Sequence, residues 1–283
     1  MDKRERLKNM FIKVGQCSLC TDTNDSRSLI NFYQDPKFYL NIPSIWTDWI
    51  DRSQAKIMIV GQDWGPYTDM CKAHSRYADF VDDVHNALWK NIVREPESMT
   101  NRMMTKYIIE SASHYNIQID NSIMDCIYVT NAVLCARQGT NYRGNDNFIP
   151  KKHTENCTSF LLEQIRIIQP LAVVSLGYWP LYSICKAAGK PIYKTLKEML
   201  ISYSSPASLI QIDKTYIIPV YHPAAQISKD EQLKYYDSLW LKLLEIYDGD
   251  VQQLLKDLVF PEVKNDTNET EYIQLSIDEV LYG

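Results

Sequence analysis

Four short runs of β-forming residues, each closed by a glycine or a polar side chain, constrain this chain more than any other feature. The first, Lys56-Ile-Met-Ile-Val-Gly-Gln-Asp-Trp-Gly-Pro-Tyr67, stays apolar until it meets Gly61, Gln62 and Asp63, with a second glycine at Gly65. Cys126-Ile-Tyr-Val-Thr130 runs into Asn131, Leu171-Ala-Val-Val-Ser-Leu176 into Gly177, and Tyr216-Ile-Ile-Pro-Val-Tyr221 into His222-Pro223. Apolar runs of this length, bounded by turn residues and separated by helical patterns, read as strands covered on both faces, the habit of a parallel sheet. In such a sheet all carboxyl ends share one edge, and ligands bind in the crevice outside it. The pattern therefore predicts that Asp63, Asn131 and His222 converge on one pocket.

Helical spacing fills the intervals. Residues 1–16 pattern as an amphipathic helix leading into Cys17-Ser-Leu-Cys20, and 45–50, 77–93, 101–115, 153–169, 178–188 and 226–247 pattern as further helices, with Pro170 stopping the one over 153–169. Residues 21–55 otherwise show no sustained period, and a poorly patterned stretch precedes the fourth strand. One domain over residues 1–247, with the cysteine-bearing segment at its start, is the expectation, followed by an acidic appendage over 248–283 in which 261–271 is a polar linker and 272–281 a short amphipathic segment.

Composition bounds the function. With 283 residues and 45% hydrophobic content the chain can bury a core. No apolar run reaches the roughly 18 residues of a membrane span. The charged start, Met1-Asp-Lys-Arg-Glu-Arg-Leu-Lys, is no export signal, and seven cysteines, an odd number, argue for a reducing compartment, with cytoplasm expected. The net charge of −5 is unevenly placed: between Glu245 and Gly283 ten acids face only Lys256 and Lys264, so that segment carries −8 and the remainder +3. A mildly basic body is compatible with phosphate contacts.

Taken together, Gly61-Gln62-Asp63, Thr130-Asn131, Ser175-Leu176-Gly177 and His222-Pro223-Ala224-Ala225 resemble the uracil-DNA glycosylase superfamily, in order and over about residues 14–245. The resemblance implies a three-layer α/β/α domain around a four-stranded parallel sheet, acting on a base flipped out of DNA; a monomer without membrane contact is the expectation for the chain. The residue types suit that reaction. Hydrolysing an N-glycosidic bond through an oxocarbenium-like state requires negative charge near the sugar, an oriented water, and stabilisation of the departing base. Asp63 can supply the first two. His222, held by Pro223, can donate to the base carbonyl while neutral. Asn131 offers a donor and an acceptor that match uracil, and with its amide turned over would match cytosine. Taken singly, an Asp, an Asn or a His-Pro pair after a strand is most often a cap or a turn residue. All three at sheet-edge positions in family order is a different matter.

A second resemblance is to the iron–sulfur, family 4-like branch, whose four cysteines match Cys17, Cys20, Cys135 and Cys157 one by one. It implies a [4Fe–4S] cluster of structural role, pinning the N-terminal segment and the 136–156 loop to the sheet. Zinc on the same four thiolates is the alternative. Free buried thiols are a third, to which Cys71, Cys126 and Cys185 are assigned.

The first motif departs from that branch, which reads Gly-Glu-Ala-Pro-Gly. Here Gln62-Asp63-Trp64 stands between Gly61 and Gly65, and Gln62-Asp63 resembles the Gln-Asp-Pro-Tyr of classical uracil enzymes. Their tyrosine, which blocks the methyl of thymine, falls at Gly65, so the wall facing position 5 of the base is expected open unless Tyr67 or Trp64 fills it. Trp64, Tyr67 and Tyr77 are candidates for stacking on the base, or else core aromatics. Arg137, Arg143, Lys151 and Lys152 are phosphate contacts or a solvated loop. Ile227 is a wedge into the base stack or a helix-start contact, with Lys229 beside it as a further DNA contact. The first expectation is removal of uracil. The second is a defence enzyme removing a 5-substituted pyrimidine from bacteriophage DNA, and the third a catalytically silent nucleic-acid-binding member of the fold.

Overall fold

A computed structural model describes residues 2–21, 29–31, 52–63, 99–137 and 151–258. Its elements are α1 (Lys3–Gln16), β1 (Leu29–Ile30), β2 (Ile57–Gly61), α2 (Met99–Ser113), a 3₁₀ turn at Asn121–Cys126, β3 (Ile127–Asn131), β4 (Ala136–Arg137), α3 (Lys151–Ile168), β5 (Ala172–Leu176), α4 (Tyr178–Ala187), α5 (Leu196–Tyr203), β6 (Ile210–Ile212), β7 (Thr215–Val220), α6 (Lys229–Ile246) and α7 (Val251–Leu258). The expected helices over 45–50 and 77–93, and the segments over 261–271 and 272–281, lie outside the described residues.

The four apolar runs are four parallel strands, in the order β3-β2-β5-β7, and β6 adds an antiparallel edge beside β7. The sheet thus has five strands among the described residues, where the sequence predicts four. The fifth, Ile210–Ile212, is too short and too close to Ser205-Pro206 to register as a run.

Period-two alternation assigns each residue to a layer. Met58, Val60, Tyr128, Val173 and Ile217 face one side, where Leu7, Met10 and Val14 of α1, Leu161 and Ile165 of α3, Leu181 and Ile184 of α4 and Met199 of α5 close over them. Ile57, Ile59, Ile127, Val174, Ile218 and Val220 face the other, against Met104 and Ile108 of α2, Leu239, Trp240 and Leu243 of α6 and Leu254 and Leu258 of α7. The result is a three-layer α/β/α domain. It reaches past the boundary expected at residue 247, because α7 turns its leucines into the second layer.

Polar groups inside the layers set register. Gln164 of α3 accepts from Tyr128 Oη (3.2 Å) and Thr130 Oγ1 (2.9 Å), which fixes the end of β3 directly before Asn131. Trp240 Nε1 donates to Ile108 O and Ser111 Oγ, both at 3.0 Å, which joins α6 to α2. No helix among the described residues is long and apolar enough to cross a membrane.

Candidate active site

The chain leaves the central strand β2 for β3 on one side and later returns to β5 on the other. The loops at the carboxyl end of β2 and β5 therefore diverge, and the crevice between them is where a doubly wound sheet binds ligands. Asp63 follows β2, Asn131 ends β3, Gly177 follows β5 and His222 follows β7. All the motifs meet at this edge.

Gly61 and Asn131 are register partners at the ends of β2 and β3. A Cβ at residue 61 would overlap the Asn131 carboxamide oxygen, so the glycine is what lets that buried side chain lie across the end of β2. Two bonds carry the pairing past the strands: Ala132 N donates to Gly61 O (2.8 Å) and Val133 N to Gln62 O (2.9 Å). They hold the backbone that presents Gln62 and Asp63.

Both oxygens of Asp63 are engaged. Gln62 Nε2 donates to Oδ2 (2.9 Å), and Arg137 Nε donates to Oδ1 (3.0 Å). The Asp63 and Arg137 side chains are only 4% and 12% exposed, so the guanidinium supplies the counter-charge that a carboxylate this deep requires.

His222 is shaped by what lies behind it. Gly177, at φ +90°, donates to Val220 O (2.9 Å) and packs against the His222 Cβ. Only glycine takes that backbone angle without strain. Ala225 N (2.8 Å) and Gln232 Nε2 (2.9 Å) donate to the His222 carbonyl. Ala224 N donates to Nδ1 (3.3 Å), which makes Nδ1 the acceptor and leaves the proton of the neutral ring on Nε2. His222 is an exposed residue, yet the protein packed around its ring lowers its pKa below the ordinary imidazole value; the charge of Asp63 acts in the opposite sense. The Asp63 carboxylate thus lies within electrostatic reach of the His222 ring.

The four matched cysteines gather on the side away from β7. Cys20, Cys135 and Cys157 form a buried cluster with Leu29 and Val133, and Cys17 is half-buried beside them. Burial raises the Cys135 and Cys157 thiols, the latter to about 12, and raises Cys20, with the neighbouring sulfurs adding to each shift. Asn156 Nδ2 donates to Cys20 Sγ (3.3 Å), and Asn31 Nδ2 to the carbonyl of Cys17 (2.8 Å). Among the described residues no three His, Cys, Asp or Glu side chains form a set that would hold a metal ion. Four thiols drawn together from the chain after α1, the loop after β3 and the helix α3 are nonetheless chemically apt for an iron–sulfur cluster, in which the thiolates are shared among several irons. Cys185 is buried in the core and Cys126 is half-buried.

The remaining candidates divide. Ile227 is half-buried, its N–H on Ala225 O, and the Lys229 ammonium lies 2.9 Å from Glu110 of α2. Lys151 pairs with Glu155 and lies over the Tyr182 ring, and Lys152 is exposed. Trp64, Gly65, Tyr67, Tyr77, Arg143 and Cys71 lie outside the described residues. Sequence reasoning missed two supports. The Arg137–Asp63 pair spans too much chain to leave a local signal. Gln232 did leave one, since it is a polar residue on the inward stripe that Tyr236, Leu239 and Trp240 continue.

No curated protein matches the chain. Among protein families, residues 47–244, well over half of the chain, match the family described as Uracil DNA glycosylase superfamily.

Proposed function

The chain belongs to the uracil DNA glycosylase superfamily, and from that premise we propose that it hydrolyses the N-glycosidic bond of a base flipped out of DNA, uracil first. What supports the reading is the meeting of Asp63, Asn131 and His222 at one sheet edge, with Gly61 under the carboxamide and Gly177 behind the imidazole.

In this reading Asn131 pairs with the edge of the base and holds it in the crevice. As the bond from C1′ to the base nitrogen lengthens, its electron pair moves into the base and positive charge develops on the sugar. The Asp63 carboxylate faces that charge and orients a water toward C1′. The Nε2–H of His222 donates to the base oxygen on which negative charge collects. Water oxygen bonds to C1′, its proton passes to Asp63, and the base leaves as an anion that takes a proton from solvent.

Cys17, Cys20, Cys135 and Cys157 would hold a [4Fe–4S] cluster. When bound, it would tie the N-terminal segment to β4 and α3, and hydrolysis asks no electron of it. A brown protein with broad visible absorption is the expected preparation, and a colourless one with stoichiometric zinc would replace the assignment.

One sequence feature favours a second reading: Gly65 stands where the classical enzymes carry the tyrosine that rejects 5-substituted bases. The substrate would then be a pyrimidine with a large group at position 5, as in modified bacteriophage DNA. Base release from uracil-containing and modified-cytosine oligonucleotides, measured in parallel, separates the two. Asp63→Asn is expected to lower the single-turnover rate by at least about 10²-fold while keeping the fold. Full activity in that variant would remove Asp63 from the mechanism. DNA binding that weakens with salt, with no base released from any substrate, would leave a silent binding member.

A further inference from the structure

Building on the glycosylase reading, we propose that Arg137 is a positioning residue for the reaction, holding the Asp63 carboxylate in the orientation from which it faces the sugar and its water. An aspartate carboxylate turns about a broad, roughly twofold torsion, so a strand end alone does not fix the direction of its oxygens. Here two donors approach from different parts of the chain, Gln62 Nε2 on Oδ2 and Arg137 Nε on Oδ1, and together they remove that freedom. The planar guanidinium is suited to this, because its donors point in set directions where an ammonium would act as a point charge. Arg137 is turned inward, 12% exposed, whereas an arginine committed to a phosphate keeps its guanidinium in solvent.

The backbone behind Arg137 is itself tethered. β4 pairs antiparallel with β1, Leu29 opposite Arg137 and Ile30 opposite Ala136. Leu29 donates through its N–H to Cys20 O (2.7 Å), and its side chain packs among Cys20, Cys135 and Cys157. The thiol-lined cluster thus sets the place from which Arg137 reaches Asp63. This gives the N-terminal segment a task at the active site: it fixes the anchor of the group that fixes the acid.

The test compares wild type, Arg137→Ala and Arg137→Lys in single-turnover base release at saturating DNA, with DNA affinity measured separately by anisotropy and melting recorded for each. The saturating rate of Arg137→Ala is expected to fall by about 10²-fold, the scale of a misplaced catalytic group, with Kd for DNA nearly unchanged. Guanidinium chloride, well below denaturing concentration, should restore part of that rate where equal sodium chloride does not, and Arg137→Lys should fall between. A saturating rate left intact with a weaker Kd and a shallower salt slope would make Arg137 a phosphate contact and overturn the proposal. So would a loss that guanidinium does not relieve and that follows a lowered melting temperature. Should Arg137→Ala not fold, Arg137→Lys decides: a reduced rate at unchanged Kd supports the assignment, and an undiminished rate overturns it. Wild type that releases no base from any oligonucleotide sinks the glycosylase reading itself. An active wild type with an equally active Arg137→Ala sinks only the role of Arg137.

Discussion

A methyl group at residue 61 has nowhere to go, because the Asn131 carboxamide oxygen already occupies the space. Gly61→Ala is therefore expected to push Asn131 out of line, lowering base release by about 10²-fold and stability by about 1–3 kcal/mol, read by single-turnover kinetics and thermal melting. His222 gives a second expectation. Its pKa is lowered chiefly by the packing behind it, so the ring stays neutral below the ordinary value of about 6.5. Stability from the neutral ring is fully present above that unfolded value and is lost as pH falls through the folded one, when the imidazolium forms and Nδ1 no longer accepts from Ala224. An NMR titration of the His222 ring should show a midpoint below about 6.5; a higher midpoint would mean that the Asp63 charge prevails over burial. At this scale the sequence is most legible where chemistry abuts a strand end. Asp63, Asn131 and His222 each follow a recognisable apolar run, whereas Arg137 lies in a polar stretch that reads equally well as a surface loop.

Among the elements, legibility follows length and period. α3 and α6 carry long inward stripes, and β2 and β5 are buried almost throughout. By contrast, α5 buries only Met199, Leu200 and Tyr203, and β1 and β4 are two residues each. Too few turns or pleats repeat in them for a period to emerge. α7 is hidden for another reason: its three inward leucines occupy only two turns, in a segment that reads first by its negative net charge. What α5 lacks in length it gains at its start, where Thr195 Oγ1 accepts from Glu198 N (3.2 Å) and Glu198 Oε2 accepts from Thr195 N (3.0 Å). Thr195→Ala is expected to cost about 1 kcal/mol of stability with base release unchanged. Denaturant unfolding beside an activity assay checks both halves of that statement.

In the molecule as a whole, two helical layers clasp a sheet that is apolar on both faces, so neither layer is dispensable. α7 completes the second, and Leu254, fully buried there, is expected to lose about 2–5 kcal/mol on truncation to alanine, measured by denaturant unfolding. A negligible loss would return α7 to the role of a surface appendage. The order of the strands has a further consequence for the growing chain. β2 is synthesised first among the four parallel strands, yet in the finished sheet it lies between β3 and β5, both made much later. A nascent chain halted before Leu176 would hold β2 with one flank unpaired and apolar. Until the ribosome has passed that point, the centre of the domain is a surface that chaperones can recognise and aggregation can exploit.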